Sequence, residues 1–210
     1  MAAQGRRRHT GDLRLIAIAA ATLLAAGDWV AVARGLRRAE GLLKPLVPLP
    51  LIAVAVALHS WWFAAALALC LAGDVLLLPQ VDRFRGGLAA FLLGHLAFIG
   101  GFLARPLHPS RAGFAAGALL LVVVVSPPIF KAVPRPLRLP VLAYILVIFA
   151  MNVAAFIGGS AVAAAGASLF AVSDALLAWN RFVRPAPGGR VAVMVTYHLA
   201  IVLLTLSLLL

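Results

Sequence analysis

Acid is what this chain has least of: six Asp and Glu stand against 18 Lys and Arg in 210 residues, and charged residues of all kinds make up only 11%. Long polar stretches are missing as well, so no soluble domain remains once the apolar runs are assigned. Cysteine occurs once, at Cys70 inside an apolar run, which excludes an internal disulfide and suggests no cysteine-based metal site. No His-x-x-x-His or His-x-x-Glu-His spacing is present for zinc, and there is no glycine-rich phosphate loop. In a soluble protein the excess of base would raise the question of nucleic acid. Here the bases sit in short connections between apolar runs, where they set topology and meet anionic headgroups. Membrane lipids, and no nucleic acid, are the expected partners.

What is present in abundance is apolar surface. The chain is 64% hydrophobic, against roughly 45–50% in soluble domains. At around 20 residues per crossing it has room for about eight helices. The expected fold is all-α, a polytopic transmembrane helix bundle forming a single integral membrane domain over residues 1–210, in a bacterial inner (cell) membrane. Arg6, Arg7 and Arg8 ahead of an apolar segment superficially resemble a cleaved leader, but the segment reads better as the first span, residues 13–33. The second and third spans share residues 45–79, divided at His59-Ser60-Trp61-Trp62, with Pro45, Pro48 and Pro50 suited to a helix start. The fourth covers 86–103. The fifth covers 112–125 and should end or bend sharply at Ser126-Pro127-Pro128. The sixth, seventh and eighth are expected at 140–157, 161–180 and after Arg190. The odd-numbered connections carry 12 bases and the other side 6, which by the positive-inside rule puts both termini outside, although the basic N-terminal tail argues the other way.

Against this background two acids stand out. Asp74, in Ala72-Gly73-Asp74-Val75-Leu76-Leu77-Leu78, has a near copy in Asp174, in Val172-Ser173-Asp174-Ala175-Leu176-Leu177. An aspartate in hydrocarbon costs about 2.5–3.5 kcal/mol on insertion scales, so it is retained where it faces a polar interior and has a task. Asp28, Asp74 and Asp174 fall in the last turns of the first, third and seventh spans, and Lys44 and Tyr144 near the starts of the second and sixth. His95, Tyr197 and His198 lie about two turns into the fourth and eighth. All therefore occupy the same half of the membrane, which points to one cavity opening at the odd-numbered connections. The segment from Leu69 through Gly94-His95 also resembles that from Leu169 through Tyr197-His198, and Lys44-Pro45-Leu46 echoes Arg135-Pro136-Leu137. Four spans separate the copies, an even number, so a duplication would be a parallel four-helix repeat.

Each candidate has a plainer reading. Asp74 and Asp174 could be polar contacts between helices; as a pair, one protonated and one ionised, they could divide general-acid and general-base work, which suits addition of water across an activated bond. His95 and His198 singly read as hydrogen-bonded helix residues, and a mixed zinc set with the aspartates lacks a recognised spacing. Lys44 at a cavity rim could hold a phosphate or anchor its helix at the interface. Asp28 could simply pair with Arg34 or Arg38. Tyr144, Asn152, Asn180 and Tyr197 serve equally as substrate hydrogen bonds or as helix–helix contacts. No metal and no cofactor is expected. Other functions for two intramembrane acids are a proton-coupled small transporter or flippase, or a different, metal-dependent lipid hydrolase. A purely structural protein would explain the spans but not the clustering of polar groups in one leaflet.

Several motifs together resemble one family. These are Lys44-Pro45; Gly73-Asp74 followed by Phe84, Gly86-Gly87, Phe91 and Gly94-His95; Gly166-Ala167-Ser168-Leu169-Phe170 with Ser173-Asp174; and Thr196-Tyr197-His198. The combination is similar to the YhhN-like lysoplasmalogenase family, over most of the chain from Lys44 to Ala200. The resemblance implies an eight-span protein that hydrolyses the vinyl-ether bond of a lysophospholipid, lysoplasmalogen, to a fatty aldehyde and a glycerophospho-alcohol. It also implies that Asp74 and Asp174 are catalytic; Lys44, His95, Tyr144, Asn152, Asn180, Tyr197 and His198 are the candidate substrate contacts by residue type and position. In the last-span motif His198 stands where the family has a second aromatic residue, and Ile201 where it has a glutamine.

Overall fold

The computed structural model describes residues 2–210. They form nine α-helices: α1 (Ala2–Ala33), α2 (Arg37–Leu46), α3 (Pro48–Ala57), α4 (Trp61–Leu76), α5 (Phe84–Leu103), α6 (Ala116–Ala132), α7 (Arg138–Gly158), α8 (Ala161–Ala178) and α9 (Gly189–Leu206). Among the described residues, Gly11–Ala33, Arg37–Ala57, Phe84–Leu103, Arg135–Gly158, Ala161–Val183 and Gly189–Leu206 are long and apolar enough to cross a membrane, and Trp61–Leu76 is an apolar but shorter helix. The protein is an integral membrane helix bundle.

The helix boundaries follow from local chemistry. Arg37–Ala57 is interrupted at Val47 because Pro48 and Pro50 supply no amide donors; Pro48 takes the opening position of α3, where a missing N–H costs least. The element therefore begins earlier than the expected start at Pro45, and Pro45 lies inside α2. The long apolar run does divide at His59–Trp62: α3 ends at Ala57, His59 turns the chain with φ 53°, and α4 starts at Trp61. Ser160 caps α8, its hydroxyl accepting from the Ala163 amide at 3.3 Å. The expected stop at Ser126-Pro127-Pro128 does not occur. Both prolines lie inside α6, which continues to Ala132. Proline's fixed φ is itself helical, so the pair removes two donors without forcing the chain out of the helix.

The most extensive pairings are α4 with α5 and α8 with α9, the two stretches that echo each other in sequence. Both are close approaches over glycine. A Cβ on Gly73 would meet the Phe91 ring at 2.5 Å, and one on Gly166 would meet the Ala200 carbonyl and the Leu204 amide at 3.0 Å. Around these pairs α1 packs on α2, α3 and α9, and α7 on α5, α6 and α8. A buried aromatic cluster joins the halves: Phe170 of α8 stacks edge-on to His95 and Phe98 of α5 and to Tyr197 of α9. The two aspartates sit directly against it.

Candidate functional site

Asp74 lies in the last turn of α4 and is fully buried. Two groups from distant helices reach it. Tyr197 of α9 donates a 2.6 Å hydrogen bond to Oδ2, and the Lys44 ammonium of α2 lies 3.5 Å from Oδ1. Lys44 is 5% exposed, so the rim position expected for it gives way to a buried ion pair. In hydrocarbon such a pair is retained because each charge compensates the other; either alone would be left without a counter-charge.

Asp174 sits one turn from the end of α8 in an arrangement of the same plan. Tyr144 of α7 donates to its Oδ2 at 2.8 Å, and His95 Nε2 of α5 lies 3.5 Å from that oxygen. The partners are exchanged across the echo. Asp74 takes its phenol from α9, in the second copy, and Asp174 takes its imidazole from α5, in the first. Each also receives a group from the span before its own helix, Lys44 from Arg37–Ala57 and Tyr144 from Arg135–Gly158. The difference is one of charge: a formal ammonium faces Asp74, whereas a phenol and an imidazole face Asp174.

Both carboxyls open onto one chamber of about 160 Å³, where Glu40, Lys44, Asn180, Arg190 and Tyr197 stand among apolar walls that include Val32, Val193 and Met194. Arg190 forks onto both oxygens of Glu40 at 2.8 Å, tying the start of α9 to α2 over the chamber. Asn180 holds the adjoining loop, its Oδ1 accepting from the Ala186 amide at 3.0 Å. Asp174 and Tyr144 border a second cavity as well, a cleft of about 90 Å³ among α5, α6, α7 and α8 whose other walls include Phe84, Leu88, Ile129, Ile145 and Phe182. Leu77, Phe91, Leu177 and Asp174 line both spaces and form the collar between them.

Of the residues singled out from sequence, the structure thus gathers Asp74, Asp174, Lys44, His95, Tyr144, Asn180 and Tyr197. It places the other two elsewhere. Asn152 is spent between helices, donating to the Ile148 and Ala167 carbonyls at 3.0 and 3.3 Å and accepting from the Ser168 hydroxyl at 3.2 Å. His198 faces α1, where its Nδ1 accepts from Trp29 Nε1 at 3.0 Å; the ring proton is therefore on Nε2, which is buried without a partner. Asp28 pairs with neither Arg34 nor Arg38; both its oxygens are buried and lack hydrogen-bond partners. Among the described residues no three His, Cys, Asp or Glu side chains converge as a metal site.

Sequence reasoning passed over Glu40, Arg190 and Phe91 as parts of the site. The scarcity of acids was the signal for Glu40, one of six in the chain. Arg190 was counted only among the topological bases, and nothing in its neighbourhood marks it as a partner for a residue 150 positions away.

Comparison with known proteins fits this layout. The family model described as the YhhN family matches residues 39–208. The human lysoplasmalogenase TMEM86B is 36% identical over 146 residues, covering 68% of this chain and 61% of that protein. The pig protein of the same name is 36% identical over 143 residues, 66% of this chain and 60% of its own. A lysoplasmalogenase of Mycobacterium tuberculosis is 35% identical over 156 residues, 69% of this chain and 59% of its own. The chain thus spans about three fifths of the length of these curated relatives. No solved structure matches it. The matched residues run from α2 through α9 and include every side chain that reaches Asp74 or Asp174, and the chain belongs to the YhhN family.

Proposed function

We propose that this protein is a membrane-embedded hydrolase that cleaves the vinyl-ether bond of a lysoplasmalogen, releasing a fatty aldehyde and a glycerophospho-alcohol. The observation that carries the reading is a pair of carboxyls, Asp74 fully buried and Asp174 partly buried, each held by a phenol and facing one chamber that adjoins an apolar cleft. A lysophospholipid has the same two-part character, one hydrocarbon chain joined to one polar headgroup. The names of the relatives agree with it.

The chemistry asked of the site is modest. Protonation of the β-carbon of a vinyl ether gives an oxocarbenium ion. Water adds to that ion to form a hemiacetal, which collapses to aldehyde and alcohol. A carboxylic acid supplies the proton, and a second, ionised carboxylate steadies the cation and takes a proton from the attacking water. Each well-placed acid or base contributes about 10²–10⁴ in rate. Asp74 and Asp174 are these two groups. Lys44 and Arg190 offer positive charge to a phosphodiester in the chamber, with Asn180 beside them as a hydrogen-bonding group. We place the protein in a bacterial inner (cell) membrane, since outer-membrane spans are β-barrels and this bundle is helical.

The test is fatty-aldehyde release from lysoplasmalogen by the purified protein in detergent, beside Asp74→Asn and Asp174→Asn and with a chelator arm. Release by the wild type that is lost in both variants and indifferent to chelator supports a two-carboxylate hydrolase. A well-folded wild type that releases none removes the assignment, and the same aspartates would then be assayed for proton-coupled flux in vesicles.

A further inference from the structure

The two carboxyls are not placed alike. Asp74 borders only the chamber that holds the charged Lys44, Glu40 and Arg190, beside the Lys44 ammonium, and its phenol Tyr197 lines the same chamber. Asp174 borders both spaces, and its phenol Tyr144 lines the apolar cleft. The line from chamber to cleft therefore runs from Asp74 to Asp174 through the collar of Leu77, Phe91 and Leu177.

A lysoalkenyl phospholipid has a direction too. Along its length come the headgroup, the glycerol, the ether oxygen, the carbon bonded to that oxygen, and then the second vinyl carbon, which carries the hydrocarbon chain. Acid attacks the second vinyl carbon, on the chain side. Water attacks the carbon bonded to oxygen, on the headgroup side. A phosphodiester in the cleft would meet no cation and one carboxyl, Asp174, whereas the chamber brings Lys44 and Arg190 to it, so the direction that puts the headgroup in the chamber and the chain in the cleft fits the two linings best.

Resting on the hydrolase reading above, we propose that the chain lies in the α5–α8 cleft and the phosphodiester in the Lys44–Arg190 chamber, which makes Asp174 the acid that protonates the chain-side vinyl carbon and Asp74 the base that deprotonates the attacking water. The step closes on itself. The Asp174 proton goes to the second vinyl carbon as the C=C π pair forms the new C–H bond, leaving an Asp174 carboxylate and an oxocarbenium ion. Water bonds to the oxygen-bearing carbon and gives a proton to Asp74. In the collapse, Asp74 returns that proton to the departing glycerol oxygen, on its own side, as the carbon–oxygen bond breaks. Asp174 recovers a proton from the hemiacetal hydroxyl as the aldehyde C=O forms. Both carboxyls end as they began, with one water consumed.

The assignment is tested by chemical rescue. Asp174→Ala and Asp74→Ala are purified in detergent, shown to elute as monodisperse protein, and assayed for aldehyde release with a series of small carboxylic acids, from formic to acetic, at fixed pH. The chamber reaches both positions, so a small acid can occupy the space either substitution leaves. The expected result is that Asp174→Ala gains about tenfold or more, within the 10²–10⁴ of a placed acid, with a rate that depends on the strength of the rescuing acid and a normal isotope effect in D₂O. Asp74→Ala should show no such dependence on acid strength, and it should keep the wild-type solvent isotope effect on its residual turnover, because its proton donor to carbon is intact. A second variant, Asp174→Glu, should retain turnover that Asp174→Asn loses. Acid-strength-dependent rescue of Asp74→Ala instead, or of neither variant, overturns the assignment while leaving the hydrolase reading in place. Absence of aldehyde with the wild type overturns the hydrolase reading itself, and is seen before either variant is compared.

Discussion

Tyr197 donates a 2.6 Å hydrogen bond to Asp74 across 123 positions of sequence, joining the last helix to the end of α4 in the interior of the bundle. The bond fixes which way the carboxyl faces, because Lys44 holds the other oxygen. Tyr197→Phe removes one hydroxyl and keeps the ring against Phe91 and Phe170. A hydrogen bond to a charged group is worth about 1.5–3 kcal/mol, so kcat for aldehyde release should fall by about 10–100-fold with little change in KM. Tyr144→Phe removes the corresponding bond at Asp174, which holds its proton at rest, so the loss is that of a neutral bond, about 0.5–1.5 kcal/mol, and kcat should fall by about 2–10-fold.

Lys44 and Asp74 are both buried, and removing one partner strands the other. Lys44→Met should destabilise the protein by about 3–5 kcal/mol, the typical effect of breaking a buried pair. Lys44→Met combined with Asp74→Asn should recover much of that loss in the melting temperature in detergent while remaining inactive. If the double variant melts as low as Lys44→Met alone, the pair is not the source of the destabilisation.

Gly73 is next to Asp74 and leaves room for the Phe91 ring, which lines both cavities. Gly73→Ala would put a methyl 2.5 Å from that ring and push it into the collar. Overpacking of this kind costs about 1–3 kcal/mol. Turnover should fall further than stability does, and Gly73→Ala combined with Phe91→Leu should restore part of it, as measured by aldehyde release and thermal unfolding on the same preparations.

Asn152 gives the opposite signature. Its amide joins α7 to α8 through the Ala167 carbonyl and the Ser168 hydroxyl, away from either cavity. Asn152→Leu leaves both of those groups without this partner, a loss of about 1–3 kcal/mol. The melting temperature should drop, with kcat unchanged well below it. A fall in kcat at full stability would show instead that the side chain reaches substrate.

Much of the molecule is legible in its sequence. Hydropathy and length give a bundle of membrane helices because a backbone in hydrocarbon must satisfy its own hydrogen bonds, and helices do so locally. The division of the long apolar run at His59–Trp62 is local in the same sense, and it is where the chain turns. Asp74 and Asp174 are conspicuous because an acid is costly in this solvent and the chain has so few. Local rules also mislead at Pro127 and Pro128. Of the stop or sharp bend expected there, the stop does not occur and the prolines become part of α6, since proline opposes a helix through the donors it removes and the crowding it causes, while its φ stays helical.

Partnership is another matter. Sequence order places Lys44, Tyr144, His95 and Tyr197 in the same half of the membrane, but depth does not say which of them touches which acid. The packing of α4 on α5 and α8 on α9 over Gly73 and Gly166 decides that Tyr197 goes to Asp74 and His95 to Asp174. The same packing turns Asn152 and His198 away from the cavities, although by residue type and depth they are as suitable as those that face them. Sequence by itself determined the solvent this protein folds in, the helices that follow from it, and the two acids that solvent makes exceptional. Only the tertiary structure decided which side chains complete the site, because helix rotation is set by side-chain packing between elements far apart in the chain, and hydrophobic periodicity is faint in helices that are apolar on every face.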